Sequence, residues 1–295
     1  MDTCTLCPRM CGVNRAAGEK GYCGMDATIR AARAALHMWE EPCISGTQGS
    51  GAVFFSGCSL RCIFCQNFEI AEGNCAKEIS GERLSEIFLE LQEQGAANIN
   101  LVTAAHYVPA VIESLKKAKA QGMDLPVIYN SSGYERVETV QMLEEVVDVW
   151  LPDFKYMDSK LAFAYSRAKD YPEVARAAIR EMMKAAGTCA YDEDGYIQKG
   201  VIVRHLILPG HTKNSIAVLD ELYGTYGDDL TISLMNQYTP LPQVRNIPDL
   251  NRQVTKREYE KVLDHALDLG ITQGFFQEGG TAKESFIPLF DYEGL

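Results

Sequence analysis

The sequence predicts an α/β protein with a mostly parallel sheet, and two observations lead to this fold class. Seven short apolar segments between residues 53 and 276 have the length and composition of buried strands. Segments with apolar residues at helical spacing separate most of them. Such alternation is typical of parallel strands joined by helical crossovers. The pattern fits an open doubly wound sheet, a complete barrel or a partial barrel.

The predicted elements begin with a strand at residues 53–55, which leads into a loop rich in cysteine. Ser80 can cap the first helix, which ends at Gly95, and Thr255 with Glu258 has the pattern of a capping box for the last helix. The predicted strands are residues 53–55, 98–102, 126–129, 147–153, 200–208, 230–235 and 271–276. The predicted helices are residues 80–95, 109–122, 159–169, 172–186, 215–223 and 255–269.

Composition restricts the classes of function. The chain has 295 residues, a formal net charge of −12 and ten cysteines, and it contains no basic block. Nucleic-acid binding needs clustered Lys and Arg, so we expect no nucleic-acid partner. We see no signal peptide and no run of about 20 apolar residues, so we also expect no membrane partner. These features predict a soluble protein of the reducing cytoplasm.

Two irregular stretches interrupt the predicted elements. Around His37, Glu40 and Glu41 we predict a solvated loop, and the alternative is a polar loop that lines the mouth of a barrel. We assign no chemistry to these three residues. Residues 236–253, which contain three prolines, form a second long loop of the kind that is often functional or mobile.

Three cysteines directly follow the first predicted strand. Cys58, Cys62 and Cys65 have the spacing C-x3-C-x2-C, and thiolates form a soft metal-ligand set. A structural zinc or iron–sulfur site usually takes four protein ligands. Three ligands can instead hold three irons of a four-iron cluster and leave the fourth iron open. The alternative is a structural zinc loop completed by a distant Cys or His.

Four further cysteines lie in a segment rich in Gly and Pro at the N-terminus, and they are Cys4, Cys7, Cys11 and Cys23. Such a segment buries too little apolar surface to fold alone, and a bound metal would stabilise it. Four thiolates suit structural zinc or an auxiliary iron–sulfur cluster. The remaining alternative is ordinary reduced thiols. We predict plain thiols at Cys75 and Cys189 and leave Cys43 open.

The motif of Cys58, Cys62, Phe64 and Cys65 resembles the signature of radical S-adenosylmethionine (SAM) enzymes. The sequence from Phe54 to Asn67 resembles that of the branch of the family close to pyruvate formate-lyase activating enzymes. The resemblance implies a partial (β/α)6-type barrel at residues 51–295, preceded by a Cys-rich N-terminal extension and lead-in at residues 1–50. It also implies a [4Fe-4S] cluster that binds SAM and cleaves it reductively to a 5′-deoxyadenosyl radical, which abstracts hydrogen.

Polar side chains follow most predicted strands, where parallel sheets bind ligands. The resemblance implies that Phe64 meets the adenine through its backbone. It also implies that Asp153 and Lys155 match an Asp-x-Lys motif of activating enzymes, near the SAM head group or a monovalent cation. Arg204 matches an arginine that reaches SAM or substrate. The segment that begins at Thr103 departs from the Gly-Gly-Glu-like motif of the family, so Thr103 or His106 is expected to substitute. The predicted cofactor-binding residues are Phe64, Asn67, Thr103, His106, Asn130, Asp153, Lys155, Arg204 and Asn236.

The resemblance implies a radical SAM oxidoreductase that activates a glycyl radical enzyme and takes electrons from a donor such as flavodoxin or ferredoxin. Cys58, Cys62 and Cys65 are the predicted catalytic and metal-binding residues. One alternative is hydrogen abstraction from another peptide or a small molecule. The other is a noncatalytic iron–sulfur or zinc-binding protein.

Overall fold

The computed structural model describes residues 3–277 and 288–295, and a single large sheet with flanking helices organises them. Its strands are β1 (Arg30–His37), β2 (Ser50–Phe55), β3 (Lys77–Glu78), β4 (Ile99–Val102), β5 (Val127–Ser131), β6 (Val149–Pro152), β7 (Ala190–Tyr191), β8 (Ile197–Leu206), β9 (Thr231–Met235) and β10 (Gly274–Phe276). Its helices are α1 (Pro42–Ser45), α2 (Phe68–Ala71), α3 (Gly81–Glu93), α4 (Val108–Ala120), α5 (Val137–Leu143), α6 (Ser159–Ser166), α7 (Tyr171–Ala186), α8 (Thr212–Tyr226) and α9 (Lys256–Asp268).

The strand order is β10-β9-β8-β6-β5-β4-β2-β1-β3. Every neighbouring pair from β2 to β10 along this order is parallel, whereas β1 is antiparallel to both β2 and β3. β7 forms a short antiparallel pair with β8. Helices connect most of the parallel strands, which confirms the predicted α/β class with a mostly parallel sheet. Among the described residues, β10 and β3 end the sheet without pairing to each other, so the strand order is open.

Successive side chains of each strand point to opposite faces of the sheet, and the two faces have different partners. On one face, Tyr129 and Trp150 belong to the large apolar core that includes buried side chains of α3, α4, α7 and α8. On the other face, Ile128 and Leu151 form a smaller cluster with Ile44 of α1. Helix α1 therefore packs against the inner face of the sheet, opposite the outer helices.

The structure adds elements that the sequence did not predict, chiefly β1, α1, α2 and α5. β1 has the sequence Arg-Ala-Ala-Arg-Ala-Ala-Leu-His, and its small residues lack the β-branched and aromatic character that marks a strand. α5 has seven residues, too few for a clear helical period. β1 precedes the predicted domain boundary at residue 50, yet it pairs with β2 over six residues. None of the described helices has the length and apolar character needed to cross a lipid bilayer.

The C-terminal residues 288–295 lie beside β1. The amide of Tyr292 donates to the carbonyl of Ala32 at 3.0 Å, and the amide of Ala34 donates to the carbonyl of Glu293 at 2.8 Å. The guanidinium of Arg33 lies 2.8 Å from the carboxylate of Asp291. The tail therefore satisfies backbone groups of β1 that lie beyond the two-residue pairing with β3, which protects an otherwise open strand edge.

Candidate active site

The cysteine loop follows β2 and leads to α2, and it carries Cys58, Cys62 and Cys65. Its start, Gly57, has a φ of +91°, and a Cβ there would lie 2.9 Å from the carbonyl oxygen of Cys23, so only glycine fits both the conformation and the contact. The amide of Ile63 donates to the carbonyl of Tyr165 at 2.9 Å. The loop is thus held between the N-terminal segment and α6.

The three thiols line one cavity of about 230 Å³ at the carboxyl ends of the parallel strands. The hydroxyl of Ser166 donates to the sulfur of Cys62 at 3.0 Å. Burial raises the pKa of both Cys62 and Cys65, and the neighbouring thiols of the loop raise each further. Three partly buried thiolates so close together would need a compensating positive charge, and a bound metal cluster would supply it.

The same cavity brings together most of the predicted cofactor-binding residues. From the predicted set, the lining contains Phe64, Asn67, Thr103, Asn130, Asp153, Lys155 and Arg204. These residues come from five places, namely the cysteine loop and the carboxyl ends of β4, β5, β6 and β8, and the parallel sheet assembles them at one edge.

Asp153, just after β6, is the acceptor for two cations. The ammonium of Lys155 lies 2.6 Å from one carboxylate oxygen, and the guanidinium of Arg204 lies 3.2 Å from the other. Burial alone would raise the pKa of Asp153, but these two cations outweigh it and hold the pKa below its ordinary value. Burial alone would lower the pKa of Lys155, but the carboxylate of Asp153 outweighs burial and raises this pKa above its ordinary value. All three groups therefore remain charged at neutral pH.

Glu40 completes this charged group, and the prediction of a solvated loop at residues 37–41 is wrong for this residue. Its carboxylate lies 2.9 Å from the guanidinium of Arg204 and accepts from the side-chain amides of Asn100 at 3.1 Å and Asn130 at 3.2 Å. The guanidinium of Arg204 also donates to the side-chain oxygen of Asn130 at 2.5 Å. α1 packs against the inner face of the sheet. Because Glu40 lies just before α1, this packing places Glu40 within reach of these strands.

The other residues of that lead-in are also more enclosed than predicted. His37 lines the cavity, and burial together with the charges of Arg33 and Arg204 lowers its pKa to about 4. Glu41 is only 8% exposed. The sequence gives little indication that Glu40 contacts Arg204, because 164 residues separate the two along the chain.

Phe64 is buried in a group of aromatic rings. Its ring centroid lies 6.4 Å from that of Tyr156, 6.3 Å from that of Tyr165 and 6.2 Å from that of Tyr238. The ring anchors the cysteine loop in the core, while the residue itself still lines the cavity. This placement leaves the backbone of Phe64 as the part that can meet a ligand.

Thr103 lies at the end of β4 with a φ of +62°, in the left-handed region that β-branched residues rarely adopt. Its amide donates to the carbonyl of Asn130 at 2.9 Å, which holds the turn against β5. Strain of this kind is often found at ligand-binding sites. The conformation brings Thr103 to the wall of the cavity, at the position where the sequence departs from the family motif.

Two predicted cofactor-binding residues lie elsewhere. His106 is 2% exposed, its Nε2 atom lies 2.7 Å from the carbonyl of Ser56, and burial lowers its pKa to about 3. Gln237, the next residue after Asn236, lines the cavity instead. The backbone amide of Asn236 donates to the side-chain oxygen of Gln277 at 2.8 Å. Neither His106 nor Asn236 is among the residues that line the cavity, so we do not carry their predicted role into the proposal below.

The N-terminal cysteines gather beside the cysteine loop. Cys4, Cys7 and Cys23 are buried and Cys11 is exposed. A Cβ added to Gly21 would lie 2.9 Å from the sulfur of Cys11 and 3.7 Å from that of Cys23. Burial, reinforced by nearby groups that include Cys23 and Cys4, raises the pKa of Cys7 to about 12. Within the described residues, however, no three Cys, His, Asp or Glu side chains surround a single metal-ion position.

Arg9 joins this N-terminal segment to the cysteine loop. Its guanidinium donates to the carbonyls of Ser59 at 2.9 Å, Ser166 at 2.8 Å and Arg167 at 2.6 Å. Its central carbon lies 4.0 Å from the ring centroid of Tyr22. A planar guanidinium with five donors suits this site, and it ties the cysteine loop and the end of α6 to the N-terminal segment.

Comparison with known proteins identifies the family. The model of the radical SAM superfamily matches residues 52–222, and the chain belongs to that superfamily. The uncharacterized protein MJ0674 of Methanocaldococcus jannaschii is 28% identical over 270 residues, which are 89% of this chain and 74% of that protein.

Two solved structures are among those to which the chain is similar. HydG, a maturase of the [FeFe]-hydrogenase, has a TM-score of 0.53 and 15% identity over 78% of this chain and 52% of its own. A domain of a pyruvate-formate lyase-activating enzyme from Bacteroides vulgatus has a TM-score of 0.41 and 17% identity over 58% of this chain and 92% of its own. The likeness to HydG shows the fold alone.

Membership in the superfamily implies an enzyme that uses SAM and a [4Fe-4S] cluster for radical chemistry. The residues present fit both groups. A four-iron cluster spreads its cysteine ligands over different irons, so the three thiols need not surround a single ion position. The adjoining polar wall offers carboxylate, ammonium, guanidinium and amide groups, which suit the amino acid and ribose parts of SAM.

Proposed function

We propose that this chain binds a [4Fe-4S] cluster through Cys58, Cys62 and Cys65 and binds SAM in the adjoining cavity. When bound, the cluster supplies one electron that cleaves SAM to methionine and a 5′-deoxyadenosyl radical, which abstracts a hydrogen atom from a substrate. The observation that carries the proposal is the convergence of the three thiols and the Asp153–Lys155–Arg204 group on one cavity. A noncatalytic docking protein would not need that polar wall beside the thiols.

The charged group orients the cofactor in this proposal. SAM brings an ammonium, a carboxylate and a sulfonium, and Asp153 and Lys155 present the complementary charges 2.6 Å apart. Because Glu40, Asn130 and Lys155 already satisfy Arg204 and Asp153, these side chains need little reorganisation when a ligand arrives. Asn67 and Thr103 lie on the same wall and offer further polar contacts.

The apolar part of the cavity limits access of water. Five buried apolar residues are part of its lining, and they are Phe54, Phe55, Leu60, Ile70 and Val102. A radical that abstracts hydrogen must be kept away from solvent and from other side chains, so an enclosed apolar wall suits this chemistry. The same apolar enclosure strengthens the electrostatic contacts of the polar wall.

We further propose that the hydrogen comes from a backbone glycine of a partner protein, as in the activation of glycyl radical enzymes. The resemblance of the sequence from Phe54 to Asn67 and of the Asp153-x-Lys155 motif to activating enzymes supports a glycyl substrate. A donor such as flavodoxin or ferredoxin would supply the electron, in a reducing cytoplasm that suits an oxygen-sensitive cluster. Incubation with a glycyl radical enzyme tests the substrate separately, because the product radical on glycine has its own electron paramagnetic resonance signal.

We propose a second metal centre at Cys4, Cys7, Cys11 and Cys23, either zinc or an auxiliary iron–sulfur cluster. The closeness of Cys11 and Cys23 to Gly21, the effect of Cys23 and Cys4 on the pKa of Cys7, and the burial of three of the four thiols support it. Metal analysis of the purified protein and of a Cys7→Ala variant distinguishes the two metals. Equal zinc and iron contents in both samples would leave the N-terminal cysteines without a metal.

Anaerobic reconstitution followed by dithionite and SAM tests the main proposal. We expect 5′-deoxyadenosine from the wild type and none from Cys62→Ala. Cys189→Ala is the matched control, because Cys189 is a free thiol outside the cavity and should leave cleavage intact. Cleavage that survives in Cys62→Ala, or an iron-loaded wild type that cleaves no SAM with several reductants, would refute the radical function.

A further inference from the structure

A second cavity of about 520 Å³ adjoins the first. The two cavities share five lining residues, which are Trp39, Glu40, Arg204, Met235 and Gln237. The second cavity lies on the side of β9 and β10, and its own walls include Glu41, Ser233, Phe275 and Phe276. A molecule in this cavity would therefore lie next to whatever occupies the first one.

Glu41 is the unusual residue of the second cavity. It is 8% exposed, and its Oε2 atom has no hydrogen-bond partner among the described residues. Burial raises the pKa of Glu41, although the guanidinium of Arg204 acts in the opposite direction. Ser233 also stabilises the charged form of this carboxylate, so the unsatisfied group is the Oε2 atom alone. A buried carboxylate oxygen without a partner is costly, and its retention at a cavity wall indicates a ligand that satisfies it.

The charged side chains around the two cavities indicate the sign of the charge on that ligand. Among the described side chains that line them, the acidic residues are Glu40, Glu41 and Asp153, and the basic residues are Lys155 and Arg204, while His37 is neutral. Lys155 pairs with Asp153, and Arg204 pairs with Glu40 and Asp153. Two cations thus balance two carboxylates. No further cation among the described lining residues is left for Glu41, so a bound positive group would counter the burial that raises the pKa of Glu41.

The surroundings of Glu41 suit a cationic nitrogen. Trp39 and Phe275 line the same cavity, and Phe275 packs on the face of the sheet that carries α1. Aromatic faces attract cations that a carboxylate holds nearby. The carboxylate is also held in place, because α1 begins directly after it and the side-chain amide of Asn98 donates to the carbonyl of Ile44 at 2.8 Å. A fixed carboxylate with aromatic neighbours is a typical receptor for an ammonium or guanidinium group.

We propose that the second cavity is the substrate subsite and that Glu41 binds a positively charged nitrogen group of the substrate. In a peptide substrate this group is the side chain of a lysine or an arginine. The inference rests on the proposed function only in calling the bound molecule a substrate. The net charge of −12 favours a basic substrate segment over an acidic one.

Three small probes of similar size test the charge preference on the reconstituted wild type with SAM bound. They are n-butylguanidinium, the neutral n-butylurea and the anionic pentanoate, and ligand-observed nuclear magnetic resonance gives their dissociation constants. We expect n-butylguanidinium to bind at least about tenfold more tightly than n-butylurea, which corresponds to about 1.4 kcal/mol. Equal binding of the two, or tighter binding of pentanoate, would overturn the proposal without any variant.

Variants then assign the preference to one side chain. Glu41→Gln should lose the preference for n-butylguanidinium over n-butylurea. Glu135→Gln is the matched control, because Glu135 is also a buried carboxyl with a raised pKa but lines neither cavity, and it should keep the preference. A preference that survives in a folded Glu41→Gln would contradict the assignment. Formation of 5′-deoxyadenosine by the wild type is measured in parallel, so failure of SAM cleavage is separated from failure of cation binding.

Discussion

The guanidinium of Arg204 lies 2.9 Å from the carboxylate of Glu40, although 164 residues separate them along the chain. Both side chains are largely buried, and burial opposes the charge of Arg204 while Asp153 and Glu40 raise its pKa. This ion pair joins the lead-in before α1 to the middle of β8. It therefore fixes the position of the inner helix relative to the sheet.

Removal of Glu40 should destabilise the fold. We expect Glu40→Ala to lower the free energy of unfolding by about 3 kcal/mol, because it leaves Arg204 buried with one carboxylate fewer. Urea denaturation under anaerobic conditions measures the change. Glu138→Ala is the control, since Glu138 pairs with Arg136 at 2.8 Å on the exposed surface and should cost much less. Equal losses for the two variants would contradict the buried character of the pair.

His205 should make stability depend on pH. It is fully buried, its Nδ1 lies 2.7 Å from the carbonyl of Phe154, and burial lowers its pKa from 6.5 to about 4. The unfolded chain takes up a proton below pH 6.5 while the folded chain does not, so stability falls as the pH decreases from 6.5 towards 4. We expect His205→Gln to reduce this slope by up to about 1.4 kcal/mol per pH unit. Urea denaturation at pH 6.5 and 5.5 provides the comparison, and identical slopes would show that His205 titrates normally.

Replacement of Thr103 by glycine should stabilise the fold. Its φ of +62° carries a cost that glycine does not, so Thr103→Gly should raise the free energy of unfolding by about 1 kcal/mol. The gain should come with weaker SAM binding, because the hydroxyl on the cavity wall is lost. Thr103→Val is the control, as it keeps the strain and removes the same hydroxyl. Thermal unfolding and SAM titration separate the two effects, and a destabilised Thr103→Gly would mean that the turn is unstrained.

Arg9 should hold the N-terminal segment on the cysteine loop. Lysine cannot replace the three donors directed at the carbonyls of Ser59, Ser166 and Arg167, so we expect Arg9→Lys to cost about 2 kcal/mol. Hydrogen exchange should speed up in residues 4–23 and in the cysteine loop together. Arg83→Lys, at a helix surface where Glu90 is the partner, should leave exchange in both regions unchanged. Faster exchange confined to the N-terminus would show that the two segments are independent.

Much of the fold and part of the site could be predicted from the sequence. The parallel strands carry continuous apolar runs, and the spacing of Cys58, Cys62 and Cys65 is a local pattern that needs no tertiary information. Asp153, Lys155 and Arg204 could be found because they lie at strand ends or match a motif, and the structure brings them together.

The remaining part depends on long-range packing that leaves little local signal. β1 is built from small residues, and Glu40 and Glu41 belong to a polar stretch that looks solvated until α1 is placed inside the sheet. His106 was predicted as a ligand because it follows a strand end, yet its side chain turns towards the carbonyl of Ser56 instead of the cavity. Strand ends predict a location for polar residues and not the direction of each side chain.

Arg204 forms part of the wall of both cavities. A group that binds in one cavity and draws the guanidinium towards it must alter how the other cavity holds its own occupant, and thermodynamic linkage makes the effect mutual. The binding of SAM and the binding of substrate would then be coupled through a single side chain, Arg204. The occupancy of one cavity would then set the affinity of the other cavity for its own ligand.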